Sequence, residues 1–125
     1  DGSFGMNCNE FATAVKYNIP IKIIVMNNNA LGMVRQWQSL FYEARYSQTT
    51  LDRVTDFVKL AEAFGGVGFR VEKRDELDGV LKEALSVNRP VIIDYKIDSD
   101  KKVFPMVAPG APIHQIINEE DLEGK

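Results

Sequence analysis

The sequence has little of the chemistry on which several functional classes depend. It contains one cysteine, one histidine and one tryptophan among 125 residues. A single cysteine excludes a disulfide within the chain, and neither a signal segment nor an apolar run long enough to cross a membrane is present. Lysine and arginine are scattered and the net charge is −3, which excludes a basic nucleic-acid footprint. We therefore expect a cytoplasmic protein with no membrane or nucleic-acid partner. Any anionic ligand must be bound by a few groups at one site, since the chain has no basic patch.

What the chain does have is a regular alternation of helical and strand patterns. With 45% hydrophobic residues, its length suits one compact domain. Apolar spacing predicts helices at residues 9–17, 31–42, 56–64 and 76–87, and apolar runs predict strands at 21–26, 68–72 and 91–97. Helices between strands, without a hairpin signal, predict an α/β three-layer sandwich with a mainly parallel sheet. The first and last strands are almost wholly apolar, as in parallel strands covered on both faces.

Two polar turns interrupt this pattern, DGSFGMN at the start and MNNNALGM after the first predicted strand. In a parallel sheet, ligands collect at the carboxyl ends of the strands, so we expect the two turns to form one site. Asp1, the Asn28 side chain and nearby backbone carbonyls are hard oxygen donors that suit Mg²⁺ or Ca²⁺. Gly2 allows close approach of the backbone, and the amides of residues 3–5 can donate to phosphate. The residues thus outline a magnesium-diphosphate site, although Asp, Gly and Asn also dominate ordinary turns.

The two turns resemble the motif of thiamine diphosphate enzymes that begins Gly-Asp-Gly and ends Asn-Asn, with the first glycine missing. A more specific resemblance is to the acetolactate synthase (acetohydroxyacid synthase) large catalytic subunit, and it covers nearly the whole chain. It runs through DGSFGMN, LGMVRQWQ, LFYEARYS, DFVKLAEAFG, RVEK and VFPMVAPGA. The resemblance implies the thiamine diphosphate-binding fold and its diphosphate-binding domain at 1–97, truncated at the N-terminal strand. Residues 98–125 would be a C-terminal tail that folds over the site as a lid in the full enzyme and is disordered in this chain.

The resemblance also implies roles for individual residues. Asp1, the Asn28 side chain and the backbone oxygen of Ala30 would bind Mg²⁺. Cofactor contacts would come from Gly2, Ser3, Met6, Asn28, Gly32 and Met33. Met33 and Trp37 would border the substrate channel. From the residue types alone, both methionines are equally well read as core residues, and a core role is favoured for the tryptophan.

For the intact enzyme, the resemblance implies decarboxylation of pyruvate and condensation with pyruvate or 2-oxobutyrate, in isoleucine and valine biosynthesis. The implied cofactors are thiamine diphosphate, Mg²⁺ and an FAD bound outside this chain. The implied partners are the other domains of the subunit, further copies in a homodimer or homotetramer, and a regulatory small subunit. The catalytic glutamate would lie on an absent pyrimidine-binding domain, so we expect no catalytic residue here and an inactive, self-associating fragment.

Three residues or segments carry no expected role. His114 is predicted to be a surface residue, Cys8 a small buried residue, and 119–121 a solvated acidic end.

Other functions remain open. Another thiamine diphosphate-dependent 2-oxo acid decarboxylase or oxidase should lack the combination of LGMVRQWQ and PMVAPGA. A non-catalytic magnesium-diphosphate-binding module would need a phosphate loop such as GxGxxG. An interaction-only α/β domain would leave the two polar turns unexplained.

Overall fold

The computed structural model describes residues 1–51 and 55–122. Its α-helices are α1 (Gly2–Asn7), α2 (Phe11–Lys16), α3 (Gly32–Phe41), α4 (Phe57–Phe64) and α5 (Leu77–Ser86). Its strands are β1 (Lys22–Asn27), β2 (Val67–Val71), β3 (Val91–Lys96), β4 (Met106–Val107) and β5 (Ile116–Ile117). Short 3₁₀ helices cover Cys8–Glu10, Arg74–Glu76 and Glu119–Leu122. The four predicted helices and three predicted strands are confirmed within a few residues.

The main sheet has three parallel strands in the order β1-β3-β2. Ile93 in β3 lies between Ile24 of β1 and Phe69 of β2. Both connections between neighbouring strands contain helices, as parallel pairing requires, and the predicted parallel sheet is confirmed. The antiparallel pair β4 and β5 was not predicted, because two-residue strands carry no periodicity.

Helices cover this sheet on two sides and make three layers. One face of the sheet packs against α1, α2 and α4. Its core contains Phe11, Val25, Phe57, Ala61 and Ile92. The other face packs against α5, and this core contains Val71, Ala84, Val91 and Ile93. The predicted α/β three-layer sandwich is therefore confirmed.

The prediction that both apolar strands are covered on both faces is right for β3 and wrong for β1. In β3, Val91 to Asp94 are all buried. In β1, Ile24 is 45% exposed and Met26 is 49% exposed. The difference arises because β1 is an edge strand and α5 packs over β2 and β3 only.

The ends of α4 follow the sequence closely. Asp56 is its N-cap, and its side chain accepts hydrogen bonds from the amides of Val58 and Lys59. Gly65 ends the helix in the left-handed conformation with φ 90°, where glycine avoids the steric cost of a Cβ atom. The chain then turns directly into β2.

The first helix was missed by the sequence pattern, which placed a helix only from residue 9. In the structure α1 begins at Gly2, immediately after Asp1, and none of its residues is buried. An exposed helix of six residues leaves no amphipathic signal, so only the turn itself was visible in the sequence.

The segment after β3 lies along α3. Gln36 is 3% exposed, and its side chain bonds the Val103 backbone twice, donating to the carbonyl at 2.9 Å and accepting from the amide at 2.7 Å. Arg35 forms an ion pair with Asp100 at 2.7 Å. The division at residue 97 and the lid stay predictions. Among the described residues, no helix is long and apolar enough to cross a membrane.

Candidate functional site

The first turn lies at the carboxyl end of β1. The amino group of Asp1 donates to the Met26 carbonyl at 3.1 Å, and the Gly5 amide donates to the Asp1 carbonyl at 3.0 Å. A Cβ atom on Gly2 would lie 2.8 Å from Cδ2 of Leu31, which belongs to the second turn. Glycine at position 2 therefore lets the two turns come into contact.

The second turn, residues 27–31, leaves β1 and reverses into α3. The Asn28 side-chain oxygen accepts the Ala30 amide at 3.2 Å, and the Asn27 side-chain oxygen accepts the Asn29 amide at 3.3 Å. Asn29 adopts φ 56°, a left-handed conformation that asparagine tolerates better than most residues. A Cβ atom on Gly32 would lie 2.7 Å from Nδ2 of Asn28, so glycine there makes room for the Asn28 side chain.

A small cavity of about 100 Å³ joins the two turns. It is lined by Asp1, Gly5, Cys8, Asn27, Asn29, Thr55, Phe57 and Leu60. The carboxylate-bearing turn and the asparagine turn thus face one space at the carboxyl end of β1. Cys8 is half-buried rather than buried as predicted, because this cavity lies on one side of it.

The donors on the two turns suit a hard cation; of the three expected ligands, Asp1 lines this cavity, whereas Asn28 and Ala30 do not. Asp1 offers a carboxylate, Asn28 a side-chain amide oxygen and Ala30 a peptide carbonyl, which are ligands that Mg²⁺ accepts. Across the described parts of the chain, no group of three His, Cys, Asp or Glu could hold a metal ion. Because all three donors are oxygen atoms, the set suits Mg²⁺ better than a transition metal that prefers nitrogen or sulfur ligands.

A larger apolar cavity of about 580 Å³ lies along α3. It is lined by Met33, Val34, Trp37, Gln38, Phe41, Tyr42, Glu43 and Arg45. Met33 is 54% exposed and Trp37 is 38% exposed, and the Trp37 ring meets that of Phe41 edge to face at 5.9 Å. The reading of Met33 and Trp37 as core residues is therefore wrong.

Met6 and His114 lie apart from both cavities. Met6 is 76% exposed on α1, so it is not a core residue, and it is not among the residues that line either cavity. Its contact with the cofactor stays a prediction. His114 is exposed, as predicted, and the acidic end at residues 119–121 is exposed on its 3₁₀ helix.

Asp94 belongs to the site's surroundings and was missed from the sequence. It is fully buried in β3, and its Oδ1 accepts a hydrogen bond from the Asn27 side chain at 2.7 Å. The signal that was available is one acidic residue inside the apolar run VIIDYK. Gln36 was also missed. Nothing in the sequence around a helical glutamine indicates that its side chain will hydrogen-bond the backbone of Val103, 67 residues away.

Ion pairs through Arg70 link Asp94 in β3 to Asp56 at the start of α4. Arg70 contacts Asp94 at 3.3 Å and Asp56 at 2.7 Å. Burial lowers the pKa of Arg70, but the two carboxylates outweigh it and the net pKa is raised. The amide of Lys59, followed by the charge of Arg70, holds the pKa of Asp56 below its ordinary value.

Comparison with known proteins agrees with this geometry. Residues 1–95 match the model of a family described as "Thiamine pyrophosphate enzyme, C-terminal TPP binding domain". The chain belongs to that family. Thiamine pyrophosphate is the same compound as thiamine diphosphate, so the domain family binds the cofactor that the two turns indicated.

Curated relatives of this thiamine diphosphate-binding domain include several acetolactate synthases. The chain is 45% identical over 124 residues to the acetolactate synthase large subunit of Haemophilus influenzae, with 98% of this chain and 22% of that protein covered. It is 48% identical over 118 residues to the mitochondrial acetolactate synthase catalytic subunit of Saccharomyces cerevisiae, covering 94% of this chain and 17% of that protein. The chain therefore spans about a fifth of the length of these relatives.

A solved structure gives an independent likeness of the fold. The thiamine diphosphate-dependent 4-hydroxybenzoylformate decarboxylase of Rhodococcus jostii RHA1 superposes with a TM-score of 0.72 at 28% identity. The match covers 78% of this chain and 18% of that one. The thiamine diphosphate-binding fold that the resemblance implied is confirmed.

Proposed function

We propose that this chain is the part of an acetolactate synthase that anchors thiamine diphosphate through Mg²⁺ and the diphosphate group. The observation that carries the proposal is the contact between the two turns, which brings Asp1 to the same cavity as Asn27 and Asn29. Similarity to acetolactate synthases over nearly the whole chain supports this enzyme over other thiamine diphosphate enzymes.

The proposed Mg²⁺ ligands are Asp1, the Asn28 side-chain oxygen and the Ala30 carbonyl. The amides of Gly2 and Ser3 donate to the diphosphate, since the first amides of a helix have no partner within it and α1 begins at Gly2. The bound cofactor supplies the carbanion chemistry that breaks and forms bonds beside a carbonyl group.

The apolar cavity along α3 is the proposed substrate channel. Met33 and Trp37 line it and exclude water from the bound 2-oxo acid. Gly32 lies one residue before Met33 and leaves space for Asn28, so the metal turn and the channel begin at the same end of α3. Met6 is proposed to contact the cofactor from α1.

The activity proposed for the whole protein is decarboxylation of pyruvate and condensation with pyruvate or 2-oxobutyrate, for isoleucine and valine synthesis in the cytoplasm. Other domains of the subunit bind FAD and supply the catalytic glutamate, so this chain alone is inactive. The proposed assembly is a homodimer or homotetramer, with a regulatory small subunit as a further partner.

Isothermal titration of thiamine diphosphate into the whole subunit tests the anchor. Binding should require Mg²⁺, and Asn28→Ala should weaken it by more than about tenfold. Loss of a residue that only hydrogen-bonds a metal ligand already lowers metal affinity by about tenfold or more, and loss of the ligand itself should lower it further. Asn88→Ala is the control, since Asn88 is exposed at the opposite end of β3. Equal binding by the two variants would contradict the metal assignment. With pyruvate, acetaldehyde release without acetolactate would favour a decarboxylase instead.

A further inference from the structure

Asp94 is a buried charge that the proposed ligands leave unexplained. It is 0% exposed and lies in the central strand of the sheet, in the apolar run that starts at Val91. Burying a carboxylate is costly unless it is paired and hydrogen-bonded. Even a paired buried charge often stabilises a protein no more than apolar residues of similar volume. Stability is therefore a weak reason for a carboxylate at this position.

The two oxygens of Asp94 have different partners. Oδ2 faces cations, with Arg70 Nε at 3.3 Å and Lys96 Nζ at 3.4 Å. Oδ1 accepts from Nδ2 of Asn27 at 2.7 Å, which is the shortest of these contacts. Asn27 is itself only 3% exposed, so water does not compete freely for this bond.

This bond determines which way the Asn27 amide points. An asparagine side chain has a donor end and an acceptor end, whereas an ionised carboxylate only accepts. Asp94 therefore selects the orientation in which Nδ2 faces β3 and the oxygen faces the second turn. That oxygen accepts the amide of Asn29, the residue whose φ of 56° reverses the chain between Asn28 and Ala30.

We propose that Asp94 is a positioning residue that acts through Asn27 to hold the second turn in the shape that presents Asn28 and Ala30 to Mg²⁺. The proposal rests on the proposed magnesium-binding role and adds to it a residue that does not touch the ion. It connects the metal turn to the middle of the sheet, because Asp94 lies in the central strand β3. Asp94 and Asn27 are 67 residues apart in the chain.

The Mg²⁺ affinity of the whole subunit, measured at saturating thiamine diphosphate, tests this role. Asp94→Asn should raise the dissociation constant for Mg²⁺ by about 10–100-fold, as for other outer partners of metal ligands. The single oxygen of an asparagine would stay with Arg70 and Lys96, so its NH₂ donor would face the Asn27 donor and the bond would be lost. Asn27→Ala should have the same effect, and the double variant should be no weaker than either single one, because both changes break one connection. At saturating Mg²⁺ the kcat should return to the wild-type value, since neither side chain meets the reacting atoms.

Asp56→Asn provides the matched control. It removes the other carboxylate that pairs with Arg70, yet leaves the Asp94–Asn27 bond in place. Its Mg²⁺ affinity should equal that of the wild type. An equal loss in Asp56→Asn and Asp94→Asn would overturn the proposal, because it would assign the effect to the charge network as a whole. If Asp94→Asn does not fold, Asn27→Ala tests the proposal instead, since it leaves Asp94 paired with Arg70 and Lys96. An unchanged Mg²⁺ affinity in Asn27→Ala would also overturn the proposal.

Hydrogen exchange at residues 28–31, without metal or cofactor, separates this inference from the proposed function. The Asn29 amide should exchange faster in Asp94→Asn and Asn27→Ala than in the wild type or Asp56→Asn. Unchanged exchange in both variants would overturn the positioning role even if Mg²⁺ binds. A wild type that binds no Mg²⁺ would instead overturn the proposed function, and the exchange rates would still decide whether Asp94 holds the turn.

Discussion

Gly2 and Gly32 each leave room for a side chain of the second turn. A Cβ atom on Gly2 would meet the end of the Leu31 side chain, which can rotate away. A Cβ atom on Gly32 would lie 2.7 Å from Nδ2 of Asn28, whose side-chain oxygen is held by the Ala30 amide. Substitution at Gly32 therefore moves a proposed metal ligand, whereas substitution at Gly2 moves an apolar side chain.

We expect Gly32→Ala to weaken Mg²⁺ binding, because the new methyl group displaces the Asn28 side chain from its bond with Ala30. The control is Gly79→Ala within α5, where a Cβ atom would meet nothing within 4 Å. That change should leave Mg²⁺ binding intact and stabilise the helix by about 0.5–1 kcal/mol, since alanine loses less backbone entropy than glycine. Titration with Mg²⁺ and thermal unfolding measure both effects; similar Mg²⁺ affinities in the two variants would contradict the steric argument.

Among the secondary-structure elements, α4 connects the core to the charges beside the site. Its N-cap, Asp56, accepts the amides of Val58 at 3.1 Å and Lys59 at 3.2 Å. The same carboxylate oxygen accepts from Arg70 at 2.7 Å. One side chain thus starts α4 and ties it to β2.

The low pKa of Asp56 predicts how acid affects α4. Because the folded pKa lies below the ordinary value of 3.8, this group stabilises the fold fully above pH 3.8 and loses its contribution as the pH falls through the folded pKa. At neutral pH, Asp56→Ala should lower the free energy of unfolding by about 0.5–2 kcal/mol through loss of the cap. Asp56→Asn keeps an acceptor oxygen but cannot titrate.

Denaturant unfolding at neutral and acid pH distinguishes these variants. The wild type should lose more stability than Asp56→Asn on acidification, because only the wild type loses the charge. An equally steep loss in both would show that other carboxylates, and not Asp56, control the acid response.

At the scale of the whole molecule, the edge strand β1 presents an apolar surface. Ile24 and Met26 are about half exposed on the α5 side of the sheet, where α5 packs over β2 and β3 but does not reach β1. An edge strand with exposed apolar side chains favours association with another chain. The structure thus supports the expectation of self-association for the 125-residue chain on its own.

We expect the isolated chain to sediment as an oligomer in analytical ultracentrifugation, and Ile24→Lys to shift it toward the monomer. Leu85→Lys is the control, because Leu85 is 70% exposed on α5 and lies away from the edge strand. A wild-type monomer at micromolar concentration would contradict the prediction, as would equal dissociation by both variants.

Elements with a strong local pattern were predictable from the sequence. Helix α5 repeats its apolar residues at helical spacing, and β3 is a continuous apolar run ended by charged residues. The two turns were visible in the sequence to the same extent, because Asp-Gly and Asn-Asn are local features, while their metal and cofactor contacts stay predictions. The short strands β4 and β5 and the exposed helix α1 were not, since neither leaves a periodic signal.

The sequence by itself determined the α/β class, the order of the main helices and strands, and the two turns that carry the proposed metal ligands. These features depend on residues a few positions apart, so local patterns record them. Only the tertiary structure decided that β1 lies at an edge, that Trp37 lines a cavity, and that Asp94 orients Asn27. Each of these depends on how distant segments pack, and the pairing of Asp94 with Asn27 joins residues 67 positions apart.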